Sequence, residues 1–591
     1  MTASNRAAAG RGLRQTGGAG EPGRPVVLGL CSFTHDSAAA LVTDGRLTGM
    51  AEEECLCGIK HTRDYPARSV AWLLSEAGLA PGDVDMVAYN FAGHRYLTGV
   101  TGSAGYLLRS ATRDRALARA ASFAVIHRRY RQRMRSLRLA FPNATVRGFS
   151  HHLAHGLYAF AASGYEQAAV LIADSLGETC TTSLGHARAE GRRIRYRVTE
   201  TISDPASLGY AYGAVTEHLG WRRGDEEGTV MALAALGDPA RFRRVFARAI
   251  RLTRTGFALD PGLLPLRVLR HGWPRVTPAF VQATCPPRQA GGDVAQVHAD
   301  VAAALQERTE EVMLHLARRA REVTGSRLLC AGGGVAMNCV AIGKIIREGL
   351  FDEVFVPPAP GDSGTAIGAA IAAHLDLAGA IPSGAAQACY LGPCYDDYQL
   401  GPVPAPGLTA RRVSDPAGFL AARLAEGMIA GLFQGRLEAG PRALGNRSIL
   451  ASPLLPDVTA RLNAAVKFRE PFRPFAPVVL ADKAADYFQL TQPSPYMSVA
   501  VPVTGLARRT IPAIVHANDT ARVQTLTPGQ NPFLADVLRR FADRTGVPVL
   551  INTSLNVKGK PICGTPQMAL DCLASSGLDG LMLGGGWWVT R

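Results

Sequence analysis

The sequence lacks two features that would place it in common protein classes: closely spaced cysteine pairs and long apolar runs. Its 11 cysteines are scattered over 591 residues, and only Cys55 and Cys57 lie close together in the chain. The absence of any CxxC pair argues against a zinc ribbon and a disulfide scaffold. No apolar run approaches the roughly 20 residues that a membrane-spanning helix needs, so the sequence does not predict a membrane protein.

A secretion signal is also not predicted. The N-terminal stretch MTASNRAAAGRGLRQTGGAGEPGRP is basic and rich in Gly and Ala, and no apolar signal core follows it. We expect residues 1–25 to form a disordered basic tail. With the unpaired cysteines, this favours a protein of the reducing cytoplasm.

What the chain does have is an excess of positive charge. The formal net charge is +16, on a composition of 47% hydrophobic and 19% charged residues that is typical of globular proteins. A chain of this length should divide into two or three domains. The excess charge predicts anionic ligands, either phosphates or nucleic acid.

Ten arginines lie in one strongly helical segment, residues 109–141. One interpretation is a solvated helical excursion from the first domain, and another is a surface that binds RNA or another anion. The segment has no aromatic interleaving, and no RNA-binding module is recognisable. We therefore favour the excursion and do not expect a nucleic-acid partner.

Two segments share a pattern of strand, tight loop, strand, turn and strand. The first is VVLGLCSFTHDSAAALVTDGRLTGMAEEE (26–54), with its turn at Asp44 and Gly45, and the second covers residues 169–202, with its turn at Glu190 and Gly191. Each is followed by helical segments. The repetition predicts a duplicated α/β domain of the actin and sugar-kinase type, with the first loop of each half facing a central cleft.

Two later segments fit the same plan. RLLCAGGGVAMNCVAIGKIIREG is a strand, then Gly332, Gly333 and Gly334, then a helix. Such a loop lets backbone N–H groups approach a phosphate, although tight strand-to-helix packing explains it equally well. In FDEVFVPPAPGDSGTAIGAAIAAHL, Asp362 follows an apolar strand. We expect Asp362 to face the cleft.

The motif HHLAH predicts a metal site. His151 and His155 are four residues apart and share one face of a helix, where both can bind the same ion. Asp174, at the end of the following apolar strand, and Asp362 complete a mixed nitrogen and oxygen set. This set suits Fe(II), Mn(II) or Zn(II). We expect His152 to point elsewhere.

Beyond a Pro/Gly-rich stretch that marks a boundary near residues 376–412, basic side chains collect on apolar strands and loops. Buried cations are costly unless an anion meets them, and guanidinium forks match phosphate and carboxylate oxygens. The alternative is a set of separate surface arginines. The basic residues are Arg442, Arg447, Lys467, Arg469, Arg473 and Arg522.

Taken together, the motifs HHLAH, GPRALGNRSIL, FREPFRPFAP, DTARVQTL and NTSLNVKGKPI identify a resemblance. The chain resembles the NodU/CmcH/TobZ family of O-carbamoyltransferases over about residues 26–590. The resemblance implies a TsaD/Kae-like carbamoyl-transfer domain at 26–380, a boundary at 381–412 and a YrdC-like α/β domain at 413–591.

The resemblance also implies a reaction. The YrdC-like domain would convert carbamoyl phosphate and ATP, with Mg²⁺, into carbamoyl adenylate, releasing phosphate and pyrophosphate. In the first domain, a hydroxyl of a small natural product would then take the carbamoyl group as AMP leaves. The acceptor is not identified, and a homodimer is left open.

Residue roles carry over at matching positions. The family's iron site falls on His151, His155, Asp174 and Asp362. His35 matches a histidine beside the acceptor hydroxyl, and Lys60 matches a lysine near the nucleotide. The positions that match the adenylate-forming site are Arg442, Lys467, Arg473, Arg522 and Asn552, with Ser554 and Asn556 in an SxN element.

Two alternatives and one departure remain. A tRNA-modifying enzyme of the threonylcarbamoyl type would use the same two folds, and the charge of +16 favours it. A non-catalytic nucleotide-sensing or scaffold protein would not need both the metal set and the arginine set. Where the family often has Glu-Glu-Arg, this chain reads EEEC at 52–55, which puts an arginine role there in doubt.

Overall fold

The computed structural model describes residues 24–33, 35–108, 112–269, 272–386, 388–398 and 407–591. Nearly all of the expected tail, residues 1–23, lies outside the described residues. So do the first three residues of the arginine-rich segment, and part of the expected boundary at 387 and 399–406. The chain forms mixed α/β structure. Among the described residues, no helix combines the length and the apolarity needed to cross a bilayer.

The first sheet confirms the predicted strand pattern of residues 26–54. Asp44 and Gly45 have φ values of 52° and 68°, the left-handed conformation of a tight hairpin turn. The strand order is β3-β2-β1-β4-β5, with the first two pairings antiparallel and the last two parallel. The strands are β1 (Val27–Cys31), β2 (Ala38–Thr43), β3 (Arg46–Glu52), β4 (Met86–Tyr89) and β5 (Thr145–Gly148). The helices are α1 (Glu53–Cys57), α2 (Ala67–Glu76), α3 (Tyr96–Gly102), α4 (Arg113–Ala140) and α5 (His151–Ser163).

The second sheet has the same strand order and the same directions, β8-β7-β6-β11-β12. A separate hairpin, β9–β10, lies beside the long helix α10. The strands are β6 (Gln167–Gly177), β7 (Cys180–Glu190), β8 (Arg193–Ser203), β9 (Ile250–Thr253), β10 (Gly256–Leu259), β11 (Leu328–Gly332) and β12 (Glu353–Phe355). The helices are α6 (Leu208–His218), α7 (Glu227–Ala234), α8 (Arg243–Ala249), α9 (Pro278–Ala283), α10 (Gln296–Thr324), α11 (Cys339–Arg347) and α12 (Thr365–Ala378).

Helices α5 and α12 pack against each other between the two sheets, α12 on β1 and α5 on β6 and β11. The contact is close enough to require glycine, because a Cβ at Gly368 would lie 1.8 Å from the Ala154 carbonyl oxygen. Ile367 and Ile371 of α12 are fully buried, which stabilises the packing by about 1.5–3 kcal/mol each. This packing brings the start of α5 close to the start of α12.

The C-terminal region, residues 390–591, is built on an eight-stranded mixed sheet of order β14-β24-β23-β15-β17-β22-β18-β21. Helices α13 and α17 pack together, and their apolar side chains share a core with this sheet. The strands are β13 (Tyr390–Cys394), β14 (Thr409–Arg412), β15 (Ala430–Phe433), β16 (Arg436–Glu438), β17 (Arg447–Ala451), β18 (Ala476–Leu480), β19 (Ala500–Pro502), β20 (Thr520–Arg522), β21 (Gln524–Leu526), β22 (Val549–Ser554), β23 (Gly580–Leu583) and β24 (Trp587–Thr590). The helices are α13 (Pro416–Ala425), α14 (Val458–Arg461), α15 (Ala484–Tyr487), α16 (Gly505–Thr510), α17 (Pro532–Thr545) and α18 (Pro566–Ala574).

The expected boundary is partly ordered structure. Strand β13 pairs with β16, and strand β14 pairs with β24 at the edge of the large sheet. One continuous apolar core also runs from the second sheet through α10 and α11 into the C-terminal region. The two regions therefore share a buried interface, which the Pro/Gly-rich composition of the boundary did not predict.

Candidate functional site

Four side chains predicted as metal ligands converge at the start of α5, and we call them the His2Asp2 group. His151 and His155 lie on successive turns of α5, with their Nε2 atoms 3.1 Å apart. Asp174 comes from β6, and Asp362 opens the turn before α12. The His151 Nε2 atom lies 3.4 Å from a carboxylate oxygen of each aspartate. One ligand atom from each residue falls within 4.8 Å of the others.

Neighbouring groups fix the orientation of these ligands. The His151 ring stacks on Phe91, with centroids 4.4 Å apart and planes 8° apart, and its Nδ1 atom lies 3.4 Å from the Asn90 carbonyl oxygen. The Gly334 backbone N–H donates to Asp174 Oδ1 at 3.1 Å. Such outer contacts hold an imidazole in one tautomer with Nε2 free to bind an ion.

The electrostatics of the His2Asp2 group suit a cation. Burial opposes protonation of His151, but the Asp362 and Asp174 carboxylates outweigh it and raise its pKa to about 10. Burial and then the charge of His151 lower the pKa of His155 to about 3. A positive charge is thus stabilised among the four side chains. Two imidazole nitrogens and two carboxylate oxygens, all nearly buried, fit a divalent transition metal.

His152 does point elsewhere, as predicted. Its Nδ1 atom lies 2.9 Å from Ser183 Oγ on β7, and it is not part of the His2Asp2 group. Burial and then the charge of His151 lower the pKa of His152 to about 4. His152 therefore supports the site as a neutral, packed side chain.

The three glycines at the end of β11 and just after it pack closely against β6. Gly333 has a φ of 86°, and a Cβ there would lie 2.3 Å from the Ala173 carbonyl oxygen. A Cβ at Gly332 would lie 3.0 Å from the Ile172 side chain, whereas the backbone of Gly334 reaches Asp174. The close approach of this loop to β6 accounts for glycine at Gly333. The predicted contact of Gly332, Gly333 and Gly334 with a nucleotide phosphate stays a prediction.

His35 and Lys60 belong to a second polar cluster. His35 Nδ1 lies 3.0 Å from Asp36 Oδ1, and His61 Nδ1 lies 2.8 Å from the same oxygen. Lys60 donates to Asp225, which also lies 3.1 Å from His61 Nε2. Burial opposes it, but the contacts with Asp225 and Asp36 raise the pKa of His61 to about 9. The charge of Asp362 also contributes to a raised pKa of His35, so this cluster adjoins the His2Asp2 group.

Sequence reasoning missed three members of this neighbourhood. His61 lies beside Lys60, and Asp225 lies in the acidic turn GDEE before α7. Glu52 ends β3, where burial and then the Glu54 charge raise its pKa to about 8. The sequence signal was a run of acidic residues at the end of an apolar strand. This run, EEEC at 52–55, indicates only the departure from the family's arginine at Cys55 and does not by itself point to Glu52 as a member of the cluster.

In the C-terminal region, three predicted nucleotide-site residues meet. The Lys467 ammonium donates to Asn556 Oδ1 at 2.7 Å, to the Ser554 carbonyl oxygen at 2.5 Å and to the Asn556 carbonyl oxygen at 3.1 Å. Burial and then the charge of Arg469 lower the pKa of Lys467 to about 7. Asn552 donates to Gln524 Oε1 at 2.7 Å, and its own Oδ1 is buried and has no hydrogen-bond partner among the described residues.

Four arginines form a positive group, which we call the C-terminal arginine group: Arg442, Arg469, Arg473 and Arg522. The charge of Glu470 acts on Arg469 and Arg473 and balances part of this positive charge. Burial and then the charge of Arg522 lower the pKa of Arg442 to about 9. For Arg469, burial and then the charge of Arg473 lower the pKa to about 9. The Arg522 Nε atom is buried, and no described residue accepts a hydrogen bond from it. Such a group suits an anion with several oxygens.

Arg447 corrects the expectation that each of these basic residues awaits an anion. It is fully buried, and its guanidinium donates to four backbone carbonyl oxygens while lying 3.7 Å from the Phe433 ring centroid. The carbonyls belong to Pro393, Gln434, Gly435 and Asn446. Arg447 is thus a structural residue that ties β13, β15 and β17 together.

The loop 221–226, between α6 and α7, touches both regions. Trp221 Nε1 donates to Glu470 Oε1 at 3.1 Å, three residues before Arg473. Asp225 contacts Lys60 and His61, and its charge also acts on Arg473. The loop therefore connects the C-terminal arginine group to the cluster around His35.

Comparisons with known proteins identify the family of this chain. The family described as Carbamoyltransferase N-terminus matches residues 26–371, and Carbamoyltransferase C-terminus matches residues 421–591. An uncharacterised protein of Synechocystis sp. is 34% identical over 595 residues, covering 94% of this chain and 95% of that one. Nodulation protein NolNO of Sinorhizobium fredii is 35% identical over 572 residues, covering 94% of this chain and 78% of that one.

Among solved structures, HypF of T. kodakarensis aligns with a TM-score of 0.29 at 15% identity, over 62% of this chain and 49% of that one. Family membership rests on the relatives and the two matched family descriptions, and not on this structural alignment. The chain belongs to the carbamoyltransferase family and is a carbamoyltransferase enzyme.

Proposed function

We propose that this carbamoyltransferase uses ATP to move the carbamoyl group of carbamoyl phosphate, through carbamoyl adenylate, to a hydroxyl of a small natural product. One observation carries the proposal. The chain holds a group of two histidines and two aspartates in one region and a group of four arginines in the other, and one loop contacts the surroundings of both.

Adenylate formation is assigned to the C-terminal region. Carbamoyl phosphate and water would give carbamate and phosphate, and the carbamate oxygen would attack the α-phosphorus of Mg²⁺-bound ATP as pyrophosphate leaves. Arg442, Arg473 and Arg522 would neutralise the phosphate oxygens, since forked guanidinium donors match them. Lys467, held by Ser554 and Asn556, would add a point charge. Asn552 would offer its unpartnered Oδ1.

Carbamoyl transfer is assigned to the N-terminal region. His151, His155, Asp174 and Asp362 would hold Fe²⁺ or another divalent transition metal, which supplies Lewis-acid polarisation of a carbonyl. His35 would accept the proton of the acceptor hydroxyl, oriented by its contact with Asp36. The hydroxyl oxygen would bond to the carbamoyl carbon as the bond to the AMP oxygen breaks. Lys60 would stabilise the charge that develops on the leaving phosphate.

Three arginines of α4 are engaged within the chain, and six others on this helix are exposed: Arg113, Arg128, Arg129, Arg131, Arg135 and Arg138. Arg119 of α4 is buried and paired with Asp204, and Arg133 lies over the Phe33 ring at 3.2 Å. Arg115 donates to the carbonyl oxygens of Leu266 and Pro274. These three arginines hold the helix in place and are not offered to a nucleic acid.

Separating the two half-reactions tests the proposal. We expect His155→Ala to release pyrophosphate from ATP and carbamoyl phosphate while failing to carbamoylate an acceptor. We expect Arg473→Ala to lose pyrophosphate release, and synthetic carbamoyl adenylate should restore its transfer activity. Pyrophosphate assays and mass spectrometry of candidate alcohols measure the two steps. Loss of the same step in both variants would contradict the assignment.

A further inference from the structure

Three arginines lie around Tyr210, and neither half of the proposed reaction uses them. The Cζ atoms of Arg267 and Arg275 lie 5.3 and 5.8 Å from the centroid of the Tyr210 ring. The side chain of Arg223 lies against Gly213, on the same helix α6, where an added Cβ would meet it at 2.7 Å. We call Arg223, Arg267 and Arg275 the Tyr210 arginine cluster.

The cluster carries more positive charge than its neighbours neutralise. The carboxylate closest to it is that of Glu217, whose Oε2 lies 3.4 Å from Arg275 Nε and 3.6 Å from Arg223 Nε. Asp204 acts on the third arginine but is already paired with Arg119. The charge of Asp174, a member of the His2Asp2 group, also acts on Arg267. Among the described residues, Glu217 is thus the one carboxylate in ion-pair contact with the cluster, and it is half-exposed.

The same side chains hold unused hydrogen-bond donors. In the part of the chain that the structure describes, the buried Nε atoms of Arg223, Arg267 and Arg275 have no hydrogen-bond partner, and those of Arg223 and Arg275 have only their ion-pair contacts with Glu217. Arg267 is only 9% exposed, and the Arg275 side chain 10%. Burial, then the charges of Arg275 and Arg267, lower the pKa of Arg223. Buried donors and like charges at one place are costly unless an anion meets them.

The cluster adjoins the His2Asp2 group. Arg267 Nη1 donates to the Ser175 carbonyl oxygen at 2.7 Å, and Ser175 directly follows Asp174. Ser207 Oγ donates to the same carbonyl oxygen at 2.7 Å, and Gly209 of α6 packs against the Ser175 backbone. An anion bound here would lie beside the transfer centre.

We propose that the Tyr210 arginine cluster binds an oxyanion group, such as a phosphate, sulfate or carboxylate, on the hydroxyl acceptor. The acceptor would then be an acidic alcohol, oriented by its anionic group. The inference rests on the proposed function, which defines the acceptor. A nucleotide phosphate is the other source of this chemistry, but the C-terminal arginine group and Lys467 already provide for it.

Inorganic sulfate is a probe that needs no carbamoyl chemistry. We expect calorimetric titration of the full chain to show two classes of sulfate site. Arg275→Gln should weaken one class by about tenfold or more, because a charge-assisted hydrogen bond is lost. Arg223→Gln, at a less buried position, should do the same if Arg275→Gln folds poorly. Arg473→Gln should weaken the other class. Arg244→Gln, an exposed position on α8, is the matched control.

The outcomes separate this inference from the proposed function. If Arg275→Gln and Arg223→Gln bind sulfate as Arg244→Gln does, the cluster is not an anion site and the inference is overturned. The second readout is the KM for ATP and carbamoyl phosphate in pyrophosphate release. Unchanged values support an acceptor site, whereas a tenfold rise in either would assign the cluster to the nucleotide and overturn the acceptor role.

Discussion

The His2Asp2 group is almost fully buried and the C-terminal arginine group is partly exposed, and the two differ in how their neighbours balance charge. In the first, carboxylates stabilise a positive charge so strongly that the pKa of His151 rises to about 10. In the second, burial and then like charges lower the pKa of Arg442 to about 9. Under the proposed function, the first group would hold a cation and the second an anion.

Other buried arginines show that this contrast is not a general property of the chain. Arg119 is paired with Asp204, and Arg447 donates to four carbonyl oxygens. Where an arginine has a structural role, the fold therefore supplies its partners. Among the described residues, the Arg522 Nε atom has no hydrogen-bond acceptor, whereas the Arg447 guanidinium has four carbonyl acceptors. This difference suggests that Arg522 has a role other than a structural one.

The largest effect should come from removing one ligand of the His2Asp2 group. We expect Asp174→Asn to lower the bound metal, and carbamoyl transfer, by about 100-fold or more, because one carboxylate ligand is lost. Elemental analysis of protein purified without added metal measures the first. Asp376→Asn, at an exposed carboxylate on α12, is the control. Full metal content in Asp174→Asn would contradict the assignment of the site.

The affinity of the C-terminal region for ATP should depend on pH because Lys467 changes its charge. Its pKa of about 7 lies below the usual value of 10.5, so its positive charge is lost as the pH rises through 7. We expect the KM for ATP in pyrophosphate release to rise about tenfold per pH unit above that pKa at most. Lys467→Gln should have a high KM that does not change with pH over this range. A wild-type profile that is flat between pH 6 and 9 would contradict the role of Lys467.

Sequence patterns predicted those parts of the fold and site that depend on local order. The hairpin at Asp44 and Gly45 follows from turn residues between alternating strands. The pairing of His151 with His155 follows from helical spacing. Asp174 follows from its place after a run of buried apolar residues, although β6 extends three residues beyond it, to Gly177. Asp362 joined them because parallel strands place their following loops at one edge.

The remaining features depend on contacts between distant segments. No local pattern shows that Arg447 is met by carbonyls of three different segments, or that β13 pairs with β16 across the expected boundary. Asp225 meets Lys60 across 165 positions of the chain. Burial also decided the pKa of Glu52, which its sequence context leaves at the ordinary value.

Glu52 shows a third way in which this chain handles a buried ionisable group: the carboxyl group stays neutral by keeping its proton. Its pKa of about 8 lies above the ordinary 4.5, so the folded state binds more protons than the unfolded state between these values. Stability from this group is complete below pH 4.5 and is lost as the pH rises through 8, by at most about 1.4 kcal/mol per unit. Glu52→Gln should remove this slope, as urea unfolding at pH 5 to 8 would measure. An unchanged slope would mean that Glu52 is ionised.

The smallest expected effect is on the free energy of unfolding, and it separates an arginine that would bind an anion, Arg522, from a structural one, Arg447. Arg522→Gln removes the charge of a partly buried side chain that has no ion-pair partner among the described residues, so we expect the free energy of unfolding to stay the same or rise by up to about 1 kcal/mol, while pyrophosphate release is lost. Arg447→Gln removes a charge whose carbonyl partners stay buried, and should lower the free energy of unfolding by about 3 kcal/mol. Urea unfolding without added anions compares the two. Equal destabilisation would mean that Arg522 belongs to a structural network, and the arginine group would then no longer indicate an anion site.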